Sequence, residues 1–193
     1  MSQRVCTKRR GWLKAGAVGT AVALTGLRSW PALATVDRES KNSVRAGVRE
    51  LAFYNRHTGE NLKASYWADG NYLPDALTDI NHILRDYRTN DVLPMELPLL
   101  DLLYTLQGVL ATPKPFQIIS GYRSPKTNAM LAAHSGGVAK TSLHMQGRAV
   151  DIHIEGIPLD QLRRAAIALQ VGGVGYYPES NFVHVDTGRV RAW

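Results

Sequence analysis

Apolar and polar side chains alternate in two short runs, Glu50–Asn55 and Asn61–Trp67, on either side of His57-Thr58-Gly59-Glu60. A period of two interrupted by a glycine-bearing turn predicts a β-hairpin, and Asp69-Gly70-Asn71 ends its second strand. From Pro74 to Arg88 the period lengthens. Leu77, Ile80, Ile83, Leu84 and Tyr87 recur at helical spacing behind a proline suited to a first helical turn. Leu99, Leu102, Leu103 and Leu106 repeat that stripe over Pro98–Leu110. Phe116–Ile119 reads as a short buried strand, Ser120–Asn128 as a polar loop, and Met130–Ala133 as a short helix ending before Ser135-Gly136-Gly137. Ala149–Ile154 is a predicted strand and Pro158–Leu169 a predicted helix. Gly173–Tyr177 and Phe182–Asp186 are two more strands around a turn containing Pro178. This order predicts an α+β fold, a small antiparallel sheet with helices packed on it.

Charge changes the picture at one end only. The chain has 193 residues and a net charge of +7, which invites a polyanion-binding reading. Six of the 23 basic residues, and none of the 16 acidic ones, fall in residues 1–34, so the rest is close to neutral. Nucleic acid is thereby excluded as a partner. The N-terminal segment instead divides into three parts of an export signal. Arg9-Arg10-Gly11-Trp12-Leu13-Lys14 is similar to a twin-arginine motif, and Ala15 to Leu27 is a mild apolar stretch too short for a stable span. Ala32-Leu33-Ala34 then offers a cleavage point. We expect residues 1–34 to be a twin-arginine signal peptide, 35–48 a linker and 49–193 the folded domain. The mature protein is expected in the periplasm without a membrane span; an uncleaved anchor is the alternative. The single cysteine, Cys6, lies inside the signal, so disulfides and thiolate metal sites are excluded after cleavage.

Any metal must then be held by histidine and carboxylate. Ser142-Leu143-His144-Met145-Gln146-Gly147-Arg148-Ala149-Val150-Asp151 places a histidine on a loop and an aspartate in a strand, with Gly147 free to turn the chain between them. Asn181-Phe182-Val183-His184-Val185-Asp186 adds a histidine in another strand. Two imidazoles and a carboxylate are a catalytic zinc set with a fourth position left for water. Spacing by itself does not separate such a set from histidines satisfied in the core or at the surface. His57, His82 and His134 are read as structural or surface positions. Tyr176, Tyr177 and Trp67 are read as sheet packing rather than a substrate groove.

The wider pattern carries more. Ser120-Gly121-Tyr122-Arg123-Ser124 with Asn128, then Ser142-x-His144-x-x-Gly147-x-Ala149-x-Asp151, then Phe182-Val183-His184-Val185-Asp186, resembles the LAS zinc peptidases. That family groups lysostaphin-type endopeptidases, D-alanyl-D-alanine peptidases and the hedgehog domain. The resemblance runs over nearly the whole chain and is strongest to the murein endopeptidases. It implies a hedgehog-like fold, Zn2+ held by His144, Asp151 and His184, Arg123 as the substrate-orienting residue, and peptidoglycan stem peptides as the substrate. It points to cleavage of cross-links between stem peptides, including those joining two diaminopimelate residues. A D,D-carboxypeptidase and a catalytically inactive zinc-containing wall-binding module are the alternatives. One departure bears on mechanism. Many relatives carry a general base two or three residues before the last ligand, where this chain has Phe182 and Asn181. His153, two beyond Asp151 and so on the same strand face, is the first choice for that role. Asp186 stands in the same relation to His184 and is read rather as orienting it.

Overall fold

The computed structural model describes residues 47–134 and 141–193. The signal, nearly all of the linker, Cys6 and the Ser135-Gly136-Gly137 break lie outside the described residues. Strands β1 (Val48–Asn55) and β2 (Asn61–Ala68) form the hairpin, and β3 (Asn71–Tyr72) adds two residues beyond it. Helices α1 (Pro74–Ile83) and α2 (Leu97–Val109) follow, then β4 (Phe116–Ser120), α3 (Pro125–His134) and a 3-10 turn at Leu143–Gln146. The domain closes with β5 (Ala149–Ile154), α4 (Leu159–Ala168), β6 (Gly173–Tyr177), β7 (Phe182–Asp186) and β8 (Arg191–Ala192).

The fold is α+β, but the sheet is neither small nor purely antiparallel, which corrects the expectation drawn from the sequence. Eight strands join in the order β3-β2-β1-β4-β5-β7-β6-β8. The hairpin and the later strands merge because β1 pairs parallel to β4, with Phe53 opposite Phe116 and their rings 6.3 Å apart. A parallel neighbour needs a crossover, and α1 and α2 supply it. The second parallel pair, β6 with β8, comes from a strand of two residues, too short to show a period.

The core fixes which face stays open. Val150, Ile152 and Ile154 of β5 pack with Leu162, Ala165 and Ala166 of α4 and with the leucines of α2. Alternation then turns Asp151 to the opposite face. Leu99, Leu100, Leu103 and Leu106 are fully buried, and at ~1.5–3 kcal/mol per large apolar side chain this one stripe anchors the crossover to the sheet. Among the described residues no helix is long and apolar enough to cross a membrane.

Candidate metal centre

β5 and β7 are antiparallel neighbours, and their register sets Asp151 directly opposite His184. Directly opposed side chains on one sheet face lie close enough to act together. His144 reaches the same point from the 3-10 turn. Ser142 caps that turn by accepting the His144 N–H at 3.3 Å. Gly147 ends it at φ 69°, where a side chain is strained and a Cβ would sit 2.5 Å from the Pro94 carbonyl. The turn expected of Gly147 is thus the one the structure makes. The backbone also ties the loops together, because the Arg123 N–H donates to the His144 carbonyl at 3.2 Å.

Three donor atoms converge. Asp151 Oδ1 lies 2.9 Å from His184 Nδ1 and 3.3 Å from His144 Nε2, and the two imidazole nitrogens are 3.2 Å apart. The outer nitrogens decide what these atoms can be. His144 Nδ1 is 2.8 Å from the Gly121 carbonyl, which only accepts, so Nδ1 carries the proton and Nε2 presents a lone pair inward. His184 meets a carboxylate at each ring nitrogen, Asp186 Oδ2 3.0 Å from Nε2 and Asp151 Oδ1 2.9 Å from Nδ1, so without a metal it holds both protons. A cation at the centre would replace the one on Nδ1 while Asp186 keeps the other. With the Nδ1 proton displaced, two imidazole nitrogens and a carboxylate oxygen face one buried point, where a single cation satisfies all three. The donor set therefore fits a metal ion, and soft thiolate ligands are absent from it.

The electrostatics agree. Burial raises the Asp151 carboxyl, but the two imidazoles outweigh it and hold the group well below the usual carboxylate range. Burial lowers His184, yet the hydrogen bonds to Asp151 and Asp186 prevail and raise it to about 9. The site is thus built to stabilise positive charge.

His144, Asp151 and His184 open onto a cavity of about 610 Å³. Arg123 lines it, with Nη2 3.6 Å from Asp151 Oδ2 and 3.3 Å from the Ser120 hydroxyl, while its Nε is buried without a hydrogen-bond partner. Asp186 sits beneath His184, fully buried. Its oxygens accept from Gly173 N–H at 2.9 Å, Gly188 N–H at 2.8 Å, the Arg191 guanidinium and His184. Those bonds hold its carboxyl far down against the desolvation that would raise it.

His153 is not brought into the cavity. It shares the strand face of Asp151, as expected, but lies one pleat further along, with Nδ1 buried and unpartnered. Its charged form is disfavoured by burial and by Arg56, whereas Glu155 favours it. Same-face register fixes direction, not reach: two residues along a strand are about 6.6 Å apart. Several cavity residues escaped the sequence, two aromatic ones among them. Tyr177, read as packing, lines the cavity, and so does Trp193, for which no period or motif gave a signal. Tyr176 and Trp67 do pack, each beneath an arginine, Arg163 and Arg49.

An open cleft floored by His, Asp and His, with a half-free arginine at its side, is the working end of a metallopeptidase. Residues 43–193 match the family model described as peptidoglycan L,D-endopeptidase MepK, and the chain belongs to that family. It is 52% identical over 145 residues to the peptidoglycan L,D-endopeptidase MepK of Escherichia coli strain K12, covering 75% of this chain and 80% of that protein. The Shigella flexneri protein of the same name matches equally well. The probable peptidoglycan L,D-endopeptidase MepK of Haemophilus influenzae is 38% identical over 191 residues, 96% of this chain and 95% of that protein.

Proposed function

We propose that the chain is a zinc-dependent murein endopeptidase that hydrolyses peptide cross-links of peptidoglycan, with His144, Asp151 and His184 as the metal ligands. The observation that carries this is the convergence of two imidazole nitrogens and one carboxylate oxygen at the floor of an open cavity. The names of the relatives support an L,D-endopeptidase, and the family resemblance extends this reading to bonds between two diaminopimelate residues. They also favour hydrolysis over the wall-binding alternative, and internal cross-links over the terminal residue a D,D-carboxypeptidase would take.

A zinc ion held there would activate a water and polarise the scissile carbonyl. The protein's own part is positioning. Gly121 and Asp186 fix the tautomers of His144 and His184 through their outer nitrogens. Arg123 lines the cavity with a side chain only 13% exposed, so its guanidinium can hold a substrate carboxylate or a developing oxyanion in a poorly solvated place. Asp186 serves as the positioning residue of His184, because its acceptor sites are already filled. Purified peptidoglycan incubated with the protein should release un-cross-linked muropeptides, stop doing so with chelator, and resume with added zinc. Binding without release would establish the inactive module, and loss of terminal D-alanine alone the carboxypeptidase.

Two further expectations follow from the same reading. The His153→Ala protein should keep its metal and at least a tenth of its turnover, since removing a true general base costs about 10²–10⁴. A loss in that range with metal retained would restore His153 to the role. For localisation, we read residues 1–34 as a twin-arginine signal delivering the domain to the periplasm. Replacing Arg9 and Arg10 by lysine should leave precursor in the cytoplasm, and normal periplasmic accumulation would mean the general export route suffices.

A further inference from the structure

The wall of the cleft on the β8 side raises a question that the metal centre does not answer. Trp193 is 47% exposed, yet nothing about it is loose. Its N–H donates to the Val174 carbonyl at 3.1 Å and its own carbonyl accepts from Tyr176 N–H at 3.0 Å, which extends the edge of the sheet. The indole Nε1–H donates to the Tyr177 hydroxyl at 2.9 Å, and the ring lies 5.4 Å from that of His184. The Arg191 guanidinium, itself bound to Asp186 at 2.7 Å, sits 4.7 Å from the indole centroid. Gly175 makes room for this: a Cβ there would stand 2.8 Å from both the indole and the Tyr177 ring. Tyr177 in turn stacks on Phe182 with centroids 4.6 Å apart.

The one polar handle of the indole is spent on the Tyr177 hydroxyl, so what Trp193 still offers the cleft is apolar, while Tyr177 keeps its O–H donor. The part of the ring that Arg191 and His184 leave exposed lines the cavity, where it keeps a hydrophobic cost that the fold does not remove and loses little freedom when something covers it. It also stands in a particular place. Arg123 follows β4 and Trp193 follows β8, so the order β4-β5-β7-β6-β8 sets them on opposite sides of the two strands that carry Asp151 and His184. The cleft presents a hydrogen-bonding cation on one side and an apolar platform on the other.

Resting on the endopeptidase reading, we propose that Trp193, backed by Tyr177, is a specificity-determining residue. Its indole face receives the aliphatic arm of a diamino acid at the cross-link while Arg123 takes a carboxylate of the same substrate. A residue with a long methylene chain and a charged end satisfies both walls, whereas alanine or glycine at that position leaves the platform wet.

The test uses the metal-loaded full chain and its Trp193→Ala and Trp193→Phe variants, with two cross-linked peptides. One carries diaminopimelate at the cross-link and the other carries alanine at the corresponding position. For Trp193→Ala, KM on the diaminopimelate peptide should rise about tenfold or more, the scale on which an apolar pocket discriminates. Metal content and kcat should hold, the alanine peptide should change little, and Trp193→Phe should restore most of the loss. Equal losses on both peptides, or a fall in metal content, would show that the indole only packs against His184. Binding is read separately by titrating the diaminopimelate peptide into metal-free protein and following indole fluorescence. A change in the wild type that is absent from Trp193→Phe supports the platform even if turnover fails. No change in the wild type overturns it even if the enzyme is active.

Discussion

In the His184→Ala protein, bound metal should fall to near zero and turnover by roughly a thousandfold or more, because the ion supplies several kcal/mol of transition-state stabilisation and each ~1.4 kcal/mol is a decade. His184 bridges the centre. Its Nδ1 is within 3.2 Å of His144 Nε2 and Asp151 Oδ1, and its Nε2 hydrogen-bonds into the Asp186 network. Full metal occupancy in this variant would remove His184 from the ligand set. The same residue predicts how metal binding depends on pH. Without metal, His184 is raised to about 9 by Asp151 and Asp186 against the opposing effect of burial. At neutral pH it therefore holds a proton between two carboxylates. A folded-state value above the unfolded one stabilises the metal-free fold fully below about 6.5, and that contribution is lost as pH rises through about 9. Metal must displace this proton, so affinity should rise about tenfold per pH unit from 7 towards 9 and then level. Competition with a chelator of known affinity at several pH values measures the slope. A flat profile would mean the proton is not where the geometry puts it.

How much of this was legible beforehand depends on the range over which each interaction acts. The elements that carry His144, Asp151 and His184 could be read because Gly147 and the strand patterns around Asp151 and His184 are local. Their direct opposition across β5 and β7 was not legible, since register is fixed by pairing partners that spacing does not specify. The β1–β4 pairing is non-local for the same reason, and without it the two sets of strands look like separate antiparallel pieces. Local signals were also missed. The Ser124 hydroxyl accepts from the Thr127 N–H at 3.2 Å and Pro125 opens α3, a cap-and-proline start that lay inside the stretch read as loop. α1 stops at Ile83 although apolar spacing continues to Tyr87, because the Leu84 carbonyl is taken by the Tyr122 N–H at 2.7 Å. That bond belongs to the loop bearing Arg123, so tertiary pairing near the site overrides helical propensity. Trp193 had no signal at all: its place depends on Gly175 and on a two-residue strand.

Asp186→Asn is the second large effect expected, and it separates a positioning residue from a proton acceptor. Both oxygens of Asp186 meet only donors: Gly173 and Gly188 N–H and Arg191 on Oδ1, His184 Nε2 and Arg191 on Oδ2. An amide puts an NH2 group against one of those donors whichever way it turns. If it faces His184, the imidazole can satisfy it only by moving its proton to Nδ1, the atom that must offer a lone pair to the metal. Metal affinity should then fall about 10–100-fold, the usual cost of losing a partner of a ligating histidine. Stability should fall as well, at the low end of ~3–5 kcal/mol, because a fully buried charge partner is removed while Arg191 keeps 32% of its side chain in water. The pH dependence has a defined sign. The Asp186 carboxyl is held far below its unfolded value by His184, Arg191 and two backbone N–H groups, against desolvation. Its stabilisation is thus present above about pH 4 and is lost as pH falls through the lower folded value. Denaturant unfolding should show a constant gap between wild type and Asp186→Asn from pH 5 to 7, narrowing below pH 4. Excess zinc should recover most of the turnover, since the defect lies in holding the ion. A thousandfold loss that survives saturating zinc would instead make Asp186 the group that accepts the proton, and unchanged metal affinity would reduce its contact with His184 to an ordinary buried ion pair.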